Sequence, residues 1–481
     1  MAHHMNEPTP HPLKRWWPAA LLLAAVAGLV WFLNRPAPPV PLEDTLRGDI
    51  RHAMERWGVP GCAVAVVAEG EAVLVEGFGV REIGKPERVD DRTLFCLSSN
   101  SKAFASAALA LLVEEGKVAW DDPVRRHLPG FRLGGEPSDA TFRDLLSHRT
   151  GLAPHDFLWH RSGFSPGEVV KRVGLLPLAA KPRTRFQYCS PMVTAAGLAT
   201  ERVAGQPWGA FVEERLLRPL GMADTRTTSP TGGNVATPHL TGVGPVEARP
   251  WPEADAAGSV HASARDLAPW MLFQMGGKKG VLPLERLKET HVPNIPLVMN
   301  EVERPLFPDT TRRGYAMGWV AYDHRGLSLL AHGGSIDGLR CHLVLAPKQG
   351  VGVAVLSNLG FTQMNSALAM ILLERMLGLS PRDWHGLHAE SARLAASKQE
   401  RRAKGDAALL RGGTFRNAAY GTLRIAEGRL RWRGMEAELE PWKGDGWTLR
   451  GGRLDGLPVV FDAEGLRIEG RFGAAFRRVD R

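Results

Sequence analysis

Leu97-Ser98-Ser99-Asn100-Ser101-Lys102-Ala103-Phe104 stands between an extended segment and an Ala/Leu-rich run. The spacing of that run predicts a helix over 100–116 with Ala105, Leu109 and Leu112 on its core side. Residues three apart on a helix share a face, so the Lys102 ammonium can reach the Ser99 hydroxyl one turn before it. A serine hydroxyl is a poor nucleophile until a neighbour takes its proton. A lysine whose pKa is lowered by burial and nearby positive potential can take it, and a helix N-terminus favours negative charge on Ser99 Oγ. The stretch reads as a serine acyl-transfer site. Ser-x-x-Lys alone is a short pattern that chance produces about once or twice in a chain of this length, so its surroundings decide.

Downstream, in order, lie Asp144-Leu145-Leu146-Ser147-His148-Arg149-Thr150-Gly151-Leu152, then Phe186-Gln187-Tyr188-Cys189-Ser190, then His332-Gly333-Gly334-Ser335. Together with the first stretch they resemble the serine β-lactamase and penicillin-binding protein family, in particular its class C-like branch of D,D-peptidases, D-aminopeptidases, esterases and β-lactamases. The resemblance runs from about Leu42 to Leu377 and includes Val59-Pro60-Gly61, Arg218-Pro219-Leu220-Gly221-Met222 and Ser263-Ala264-Arg265-Asp266-Leu267.

The resemblance implies a role for each residue. Ser99 attacks an acyl carbon and becomes an acyl-enzyme, while Lys102 takes its proton or holds a base in the right state. Tyr188, a phenol near two cations, serves as general base for Ser99 and later as acid for the leaving group. His332 stands where many relatives carry Lys and others His, and lends positive charge or a hydrogen bond to the substrate side of the cleft. Gly333 and Gly334 let a substrate backbone lie close against the strand. The backbone N–H groups of Ser99 and Ser335 form the oxyanion hole, where one donor is commonly worth about 3 kcal/mol. His148 belongs to a loop read as holding the fold rather than carrying a proton, and His155 and His160 read as surface residues.

The second motif departs from the family pattern. It usually reads Tyr-x-Asn and here is Tyr188-Cys189-Ser190, so an amide that grips a substrate's side-chain amide is replaced by one hydroxyl. Removing such a grip costs selectivity, which lowers the expectation of efficient β-lactam hydrolysis and leaves peptide or ester acyl transfer open.

At 481 residues and 44% hydrophobic content the chain suits a large hydrolase core plus a smaller module. Its formal charge of +9 comes mostly from Arg spread along the sequence. Nucleic-acid-binding tails cluster their charge, so this reads as a solvated basic surface with no nucleic-acid partner. Lys14-Arg15 precede an apolar run from Trp16 to Leu33, 18 residues that as a helix reach about 27 Å, the thickness of a bilayer's hydrocarbon core. Positive residues before the span predict a cytoplasmic N-terminus and an exported, extracytoplasmic (periplasmic) body. The alternative is a signal peptide cleaved after Ala25-Val26-Ala27, giving a secreted protein. Cys62, Cys96, Cys189 and Cys341 match no metal-ligand spacing or dense disulfide framework and read as buried free thiols. No metal or cofactor is expected.

Segment by segment, 1–35 is the N-terminal anchor, 36–43 a Pro-rich linker, 44–385 the hydrolase domain, 386–408 a helical linker and 409–481 a C-terminal β-domain. Cys62–Val67 with Ala72–Val80, and Cys341–Ala346 with Val351–Ser357, read as hairpins, and helices are expected near 44–57 and 363–377. Strands at both ends with helices between fit an α+β architecture, an antiparallel sheet flanked by helices with a helical insertion. Short β-type runs from Gly413 to Ile468 read as a small all-β unit, barrel-like or a sandwich. The expected function is an extracytoplasmic serine hydrolase acting through an acyl-serine on D-amino-acid peptides, amides or esters, with a small-molecule or peptidoglycan-type substrate. The alternatives are a β-lactamase using the same residues, and a cell-envelope binding protein that has lost catalysis.

Overall fold

The computed structural model describes residues 41–481, apart from 252, 254, 278–279, 401–411, 443–445, 451–456, 462–464, 469–473 and 480–481. The apolar run at 16–33, with the anchor or signal peptide read from it, and residues 36–40 of the linker lie outside the described residues. Among the described residues no helix is long and apolar enough to cross a membrane.

Glu69 and Gly70 take positive φ, 53° and 84°, and so close a two-residue turn whose twist matches that of the strands it joins. Those strands are β1 (Gly61–Ala68) and β2 (Glu71–Gly79). The remaining strands of the same sheet come late in the chain: β3 (Ile295–Pro296), β4 (Arg313–Tyr315), β5 (Val320–His324), β6 (Leu327–Ile336), β7 (Leu339–Ala346) and β8 (Val351–Ser357). The sheet order is β2-β1-β8-β7-β6-β5-β4-β3, antiparallel throughout. Both expected hairpins are present. The edge strands β3 and β4 escape a sequence reading because two or three residues are too few to show alternation.

The longer helices are α1 (Leu42–Trp57), α2 (Ser101–Glu114), α3 (Ser190–Ala204), α4 (Ala264–Gln274), α5 (Met364–Met376) and α6 (Trp384–Glu400). Every residue of β1 and β8 is buried, which requires cover on both faces. Ala63, Ala65, Val67, Ala354 and Leu356 join one core beneath α4. The alternating Val64, Val66, Val353 and Val355 turn to the opposite face, where α5 packs on β7 and β8. This is the expected α+β architecture.

The expectation of a one-sided α2 needs correction. Ser101 to Leu112 are all buried, because α2 runs through the middle of the helical layer beside α3, with Phe104 stacked on Trp270 at 3.8 Å. A helix apolar all round is a core helix.

Residues from Gly413 onward form a closed eight-stranded antiparallel barrel: β9 (Gly413–Asn417), β10 (Gly421–Ala426), β11 (Arg429–Trp432), β12 (Met435–Trp442), β13 (Gly446–Arg450), β14 (Pro458–Phe461), β15 (Gly465–Ile468) and β16 (Ala474–Arg478). Phe415, Leu423, Ile425, Leu430, Trp432, Leu449 and Phe476 are buried, while Arg424, Arg429 and Arg431 alternate outward. Arg429 and Arg431 meet Glu438 and Glu436 on the outside at 2.7 and 3.2 Å, so part of the chain's basic charge is a solvated barrel face. Closure leaves no free edge to pair with another chain.

The barrel is joined to the hydrolase body by one buried contact and two nearer the surface. Tyr420, fully buried, meets His155 Nδ1 through its hydroxyl at 3.1 Å, Arg172 donates to the Ala419 carbonyl at 2.7 Å, and the Arg433 guanidinium lies 3.9 Å from the Phe164 ring centroid. His155, expected at the surface, is buried because of the Tyr420 contact. Truncation of a buried aromatic leaves a void and strips a hydrogen bond, so Tyr420→Ala is expected to cost ~3–5 kcal/mol. Chemical denaturation followed by circular dichroism checks this, and an unchanged midpoint would show that the contact carries no stability.

Candidate active site

Ser98–Asn100 form a single 3-10 turn that runs directly into α2, so Ser99 sits at the helix entrance and Lys102 in its first turn. Lys102 is fully buried. Its Nζ donates to Ser99 Oγ at 3.1 Å and to the Ala257 carbonyl at 2.8 Å, and lies 5.0 Å from the Tyr188 ring centroid. Among the described residues no carboxylate pairs with it. The two groups that the spacing predicted to meet do meet.

The turn carrying Ser99 is fastened to β6 by several short contacts. Ser98, at φ 46°, donates from its hydroxyl to the Ser335 carbonyl at 3.1 Å. With its amide oriented to satisfy both ends, Asn100 donates to the His332 carbonyl at 3.0 Å and accepts the Gly334 N–H at 3.3 Å. A Cβ at Gly334 would collide with the Leu97 carbonyl oxygen and stand 2.6 Å from Cys341 Sγ. Gly334 is therefore glycine so that the strand can approach the Ser99 turn, a correction to its reading as a substrate-facing residue. Gly333 and Ser335 alternate to the exposed face.

His332 is buried, and burial, then Lys102, pulls its imidazole down to about 3. Its Nδ1 meets the Gly333 carbonyl at 2.7 Å and so carries the proton, while Nε2 accepts from the Tyr315 hydroxyl at 2.8 Å. The ring is neutral, which corrects the expectation that it lends positive charge. Lys102 remains as the cation beside Tyr188, where two were expected. Tyr315 was not singled out in the sequence. With four tyrosines in the chain it was noticeable, but nothing local ties it to a residue 17 positions away.

Tyr188 is half-buried just ahead of α3 and faces a cluster of rings. His148 lies 4.2 Å from it and 4.8 Å from Tyr315, centroid to centroid. His148 Nδ1 accepts the Cys189 N–H at 3.1 Å, and its carbonyl accepts the Gln187 N–H at 2.8 Å, so the loop brackets Tyr188 from both sides. Burial, then Lys102 and His332, drives His148 well below the ordinary imidazole value, which agrees with its reading as a holding residue. Behind it, the buried Asp144 accepts from Arg149 at 2.6 Å, Arg183 at 2.7 Å and the Thr141 N–H at 3.0 Å. Burial raises the Asp144 carboxyl, yet these donors outweigh it and hold it below its usual range. Ser190, the first residue of α3, is buried, and its carbonyl accepts the Thr194 hydroxyl at 3.4 Å.

His160, expected at the surface, is half-buried and paired with Asp337 at 3.0 Å, because the turn after β6 reaches over to its loop. The four cysteines are buried free thiols, and burial pushes Cys62, Cys96 and Cys341 up to about 12, which removes them as nucleophiles. Among the described residues no group of three or more His, Cys, Asp or Glu could hold a metal ion.

A family profile described as Beta-lactamase matches residues 46–374. The unguisins hydrolase ungD of Aspergillus violaceofuscus is 28% identical over 376 residues, 71% of this chain and 66% of that protein. Protein flp of Staphylococcus aureus is 26% identical over 64% of this chain and 62% of its own. The chain thus spans about two thirds of the length of these curated relatives. The octameric penicillin-binding protein homologue from Pyrococcus abyssi superposes with a TM-score of 0.63 at 21% identity, over 90% of this chain and 99% of that one. The β-lactamase/D-alanine carboxypeptidase from Pseudomonas syringae gives 0.61 at 18% identity, over 70% and 99%. These two superpositions are likenesses of fold.

An imidazole at about 3 when folded and 6.5 when unfolded leaves the unfolded chain binding more protons between those values. The stability contributed by neutral His332 is therefore complete above 6.5 and is lost progressively as pH falls toward 3. Lowering the pH from 7 to about 5 should cost about 2 kcal/mol through this residue, and His332→Asn should flatten that slope in denaturant titrations. Parallel slopes for the two proteins would contradict the buried neutral ring.

Proposed function

The chain belongs to the beta-lactamase family of serine hydrolases, and on that premise we propose that it hydrolyses D-amino-acid peptides, amides or esters through an acyl-Ser99 intermediate. The observation that carries the reading is the buried Lys102 ammonium 3.1 Å from Ser99 Oγ with no carboxylate partner among the described residues. A cation so placed stabilises negative charge on whichever oxygen next to it loses its proton.

Lys102 Nζ donates to Ser99 Oγ and to the Ala257 carbonyl, so it polarises the nucleophile. The Ser99 proton passes to the Tyr188 oxygen, which takes it as phenolate with the Lys102 ammonium beside its ring as counter-ion. Ser99 Oγ adds to the acyl carbon, the oxyanion is held by the Ser99 and Ser335 N–H groups, and Tyr188 returns the proton to the leaving group. Water then repeats the sequence on the acyl-enzyme. His332, neutral and engaged with Tyr315, keeps β6 in place and contributes no charge to this step. The body works outside the cytoplasm, held by the apolar span at 16–33, and membrane fractionation followed by N-terminal sequencing tests that part.

The substitution of Ser190 for the family's asparagine supports peptide or ester transfer over β-lactam turnover. Ser99→Ala is expected to abolish turnover and covalent labelling by a fluorophosphonate while leaving the fold intact, as read by mass spectrometry and circular dichroism. Undiminished hydrolysis by this variant would overturn the assignment and favour a different nucleophile.

Ser190→Asn is expected to raise acylation by a penicillin with an amide side chain about fivefold relative to a simple activated ester, which lacks the gripped group. Equal changes for both substrates, or efficient penicillin hydrolysis by the unaltered protein, would show that Ser190 does not set this preference.

A further inference from the structure

A cavity of about 490 Å³ opens between the 159–169 and 249–255 segments, with Trp159, Arg161, Phe164, Arg249, Trp251 and Asp255 in its wall. One wall residue and one residue behind the wall lie close in the chain to groups at the Ser99 site. Asp255 lies two residues before Ala257, whose carbonyl receives Lys102 Nζ. Asp337, which accepts the Arg249 N–H at 3.0 Å, lies two residues after Ser335, whose carbonyl receives the Ser98 hydroxyl. Two residues span at most about 7 Å, so this side of the cavity lies near the residues that receive Lys102 and Ser98.

The charged groups here are Arg161, Arg249, Glu253 and Asp255 in the wall and Asp337 behind it. Asp337 is occupied by His160 at 3.0 Å and by Arg161, whose Nη2 and Nε approach at 3.0 and 3.2 Å. Asp255 accepts from the Thr194 hydroxyl at 2.8 Å and the Ala257 N–H at 2.9 Å. Among the described residues Arg249 has no side-chain hydrogen bond or ion pair. Its guanidinium lies 3.7 Å from the Trp251 ring centroid and 5.2 Å from that of Trp159, and its Nη1 is a buried donor without an acceptor. Burial, against the opposing pull of Asp255 and Asp337, lowers it to about 10. A buried guanidinium N–H without an acceptor is costly, and a group suited to repair it is an anion with two coplanar oxygens. The flanking indoles favour a planar or apolar arm leading to that anion.

We infer that this cavity is a substrate subsite and that Arg249 reads a carboxylate carried on one arm of the scissile ester or amide. The inference rests on Ser99 as the acylated residue. Two substrate pairs separate the arms: a glutaric acid monoaryl ester against its carboxamide analogue, and the acetyl ester of hydroxybenzoate against that of hydroxybenzamide. For each pair the kcat/KM preference for the carboxylate in the unaltered protein is divided by that in Arg249→Met, which cancels intrinsic reactivity.

A charge-assisted bond of this kind sets the expected quotient at about tenfold to a hundredfold for one pair. A quotient near one for both overturns the inference. A second readout does not depend on turnover or on the Met variant folding. Quenching of tryptophan fluorescence in the Ser99→Ala protein should report binding of glutaric acid monoanilide at least about tenfold tighter than binding of its carboxamide. Equal binding overturns the carboxylate subsite. Failure of every ester to acylate Ser99, with the binding preference intact, overturns the acyl-serine reading instead.

Discussion

A lysine ammonium buried at the start of a core helix, with no carboxylate beside it among the described residues, is the constraint on which the surrounding structure depends. Taking such a charge out of water costs several kcal/mol unless dipoles replace the lost hydration. The replacement here is the Ala257 carbonyl, Ser99 Oγ and the face of Tyr188. The same constraint decides the state of its neighbours. His148 and His332 are both pushed down, burial acting first and Lys102 second, so the pocket holds one positive charge rather than three. Its counter-charge in the proposed reaction is the negative charge that Tyr188 carries beforehand and that passes to Ser99 Oγ and the oxyanion during acyl transfer. A site built this way keeps one fixed positive charge beside the oxygens that carry the negative charge through the reaction, which is the electrostatic logic of preorganised catalysis.

Holding that arrangement requires backbones to pass unusually close. The Leu97–Asn100 turn reaches β6 because Gly334 has no side chain, and it is tied there through Ser98 and Asn100. On the other side of Lys102, Gly318 at φ 81° lies against the Lys102 carbonyl, where a Cβ would stand 2.7 Å away. Tyr188 is placed by a different device, the Asp144 hub, which gathers Arg149 and Arg183 and so fixes the loop whose His148 receives the Cys189 N–H. The nucleophile is thus positioned by backbone proximity and the tyrosine by a buried ion network.

The segment from 155 to 172 is restrained from two directions. Asp337 draws in His160 and Arg161 from the end of β6, while the barrel holds His155, Phe164 and Arg172 through Tyr420, Arg433 and the Ala419 carbonyl. That segment supplies Trp159, Arg161 and Phe164 to the wall of the cavity that Arg249 lines. The barrel therefore holds the segment that lines the cavity through two hydrogen bonds and a cation–ring contact.

What the sequence by itself determined is what local spacing can encode. Ser99 and Lys102 had to share a helix face, the paired β-runs around 69–70 and 347–350 had to fold back as hairpins, and the alternating runs after Gly413 had to form a separate β-unit. Each of these rests on contacts a few residues apart or on a repeating pattern. The edge strands at 295–296 and 313–315 were too short to show a pattern. The neutral state of His332, its bond to Tyr315, the burial of His155, the pairing of His160 and the unpaired Arg249 were decided only by the tertiary structure. Each joins residues separated by many positions, and protonation and burial depend on what the folded chain places around a group.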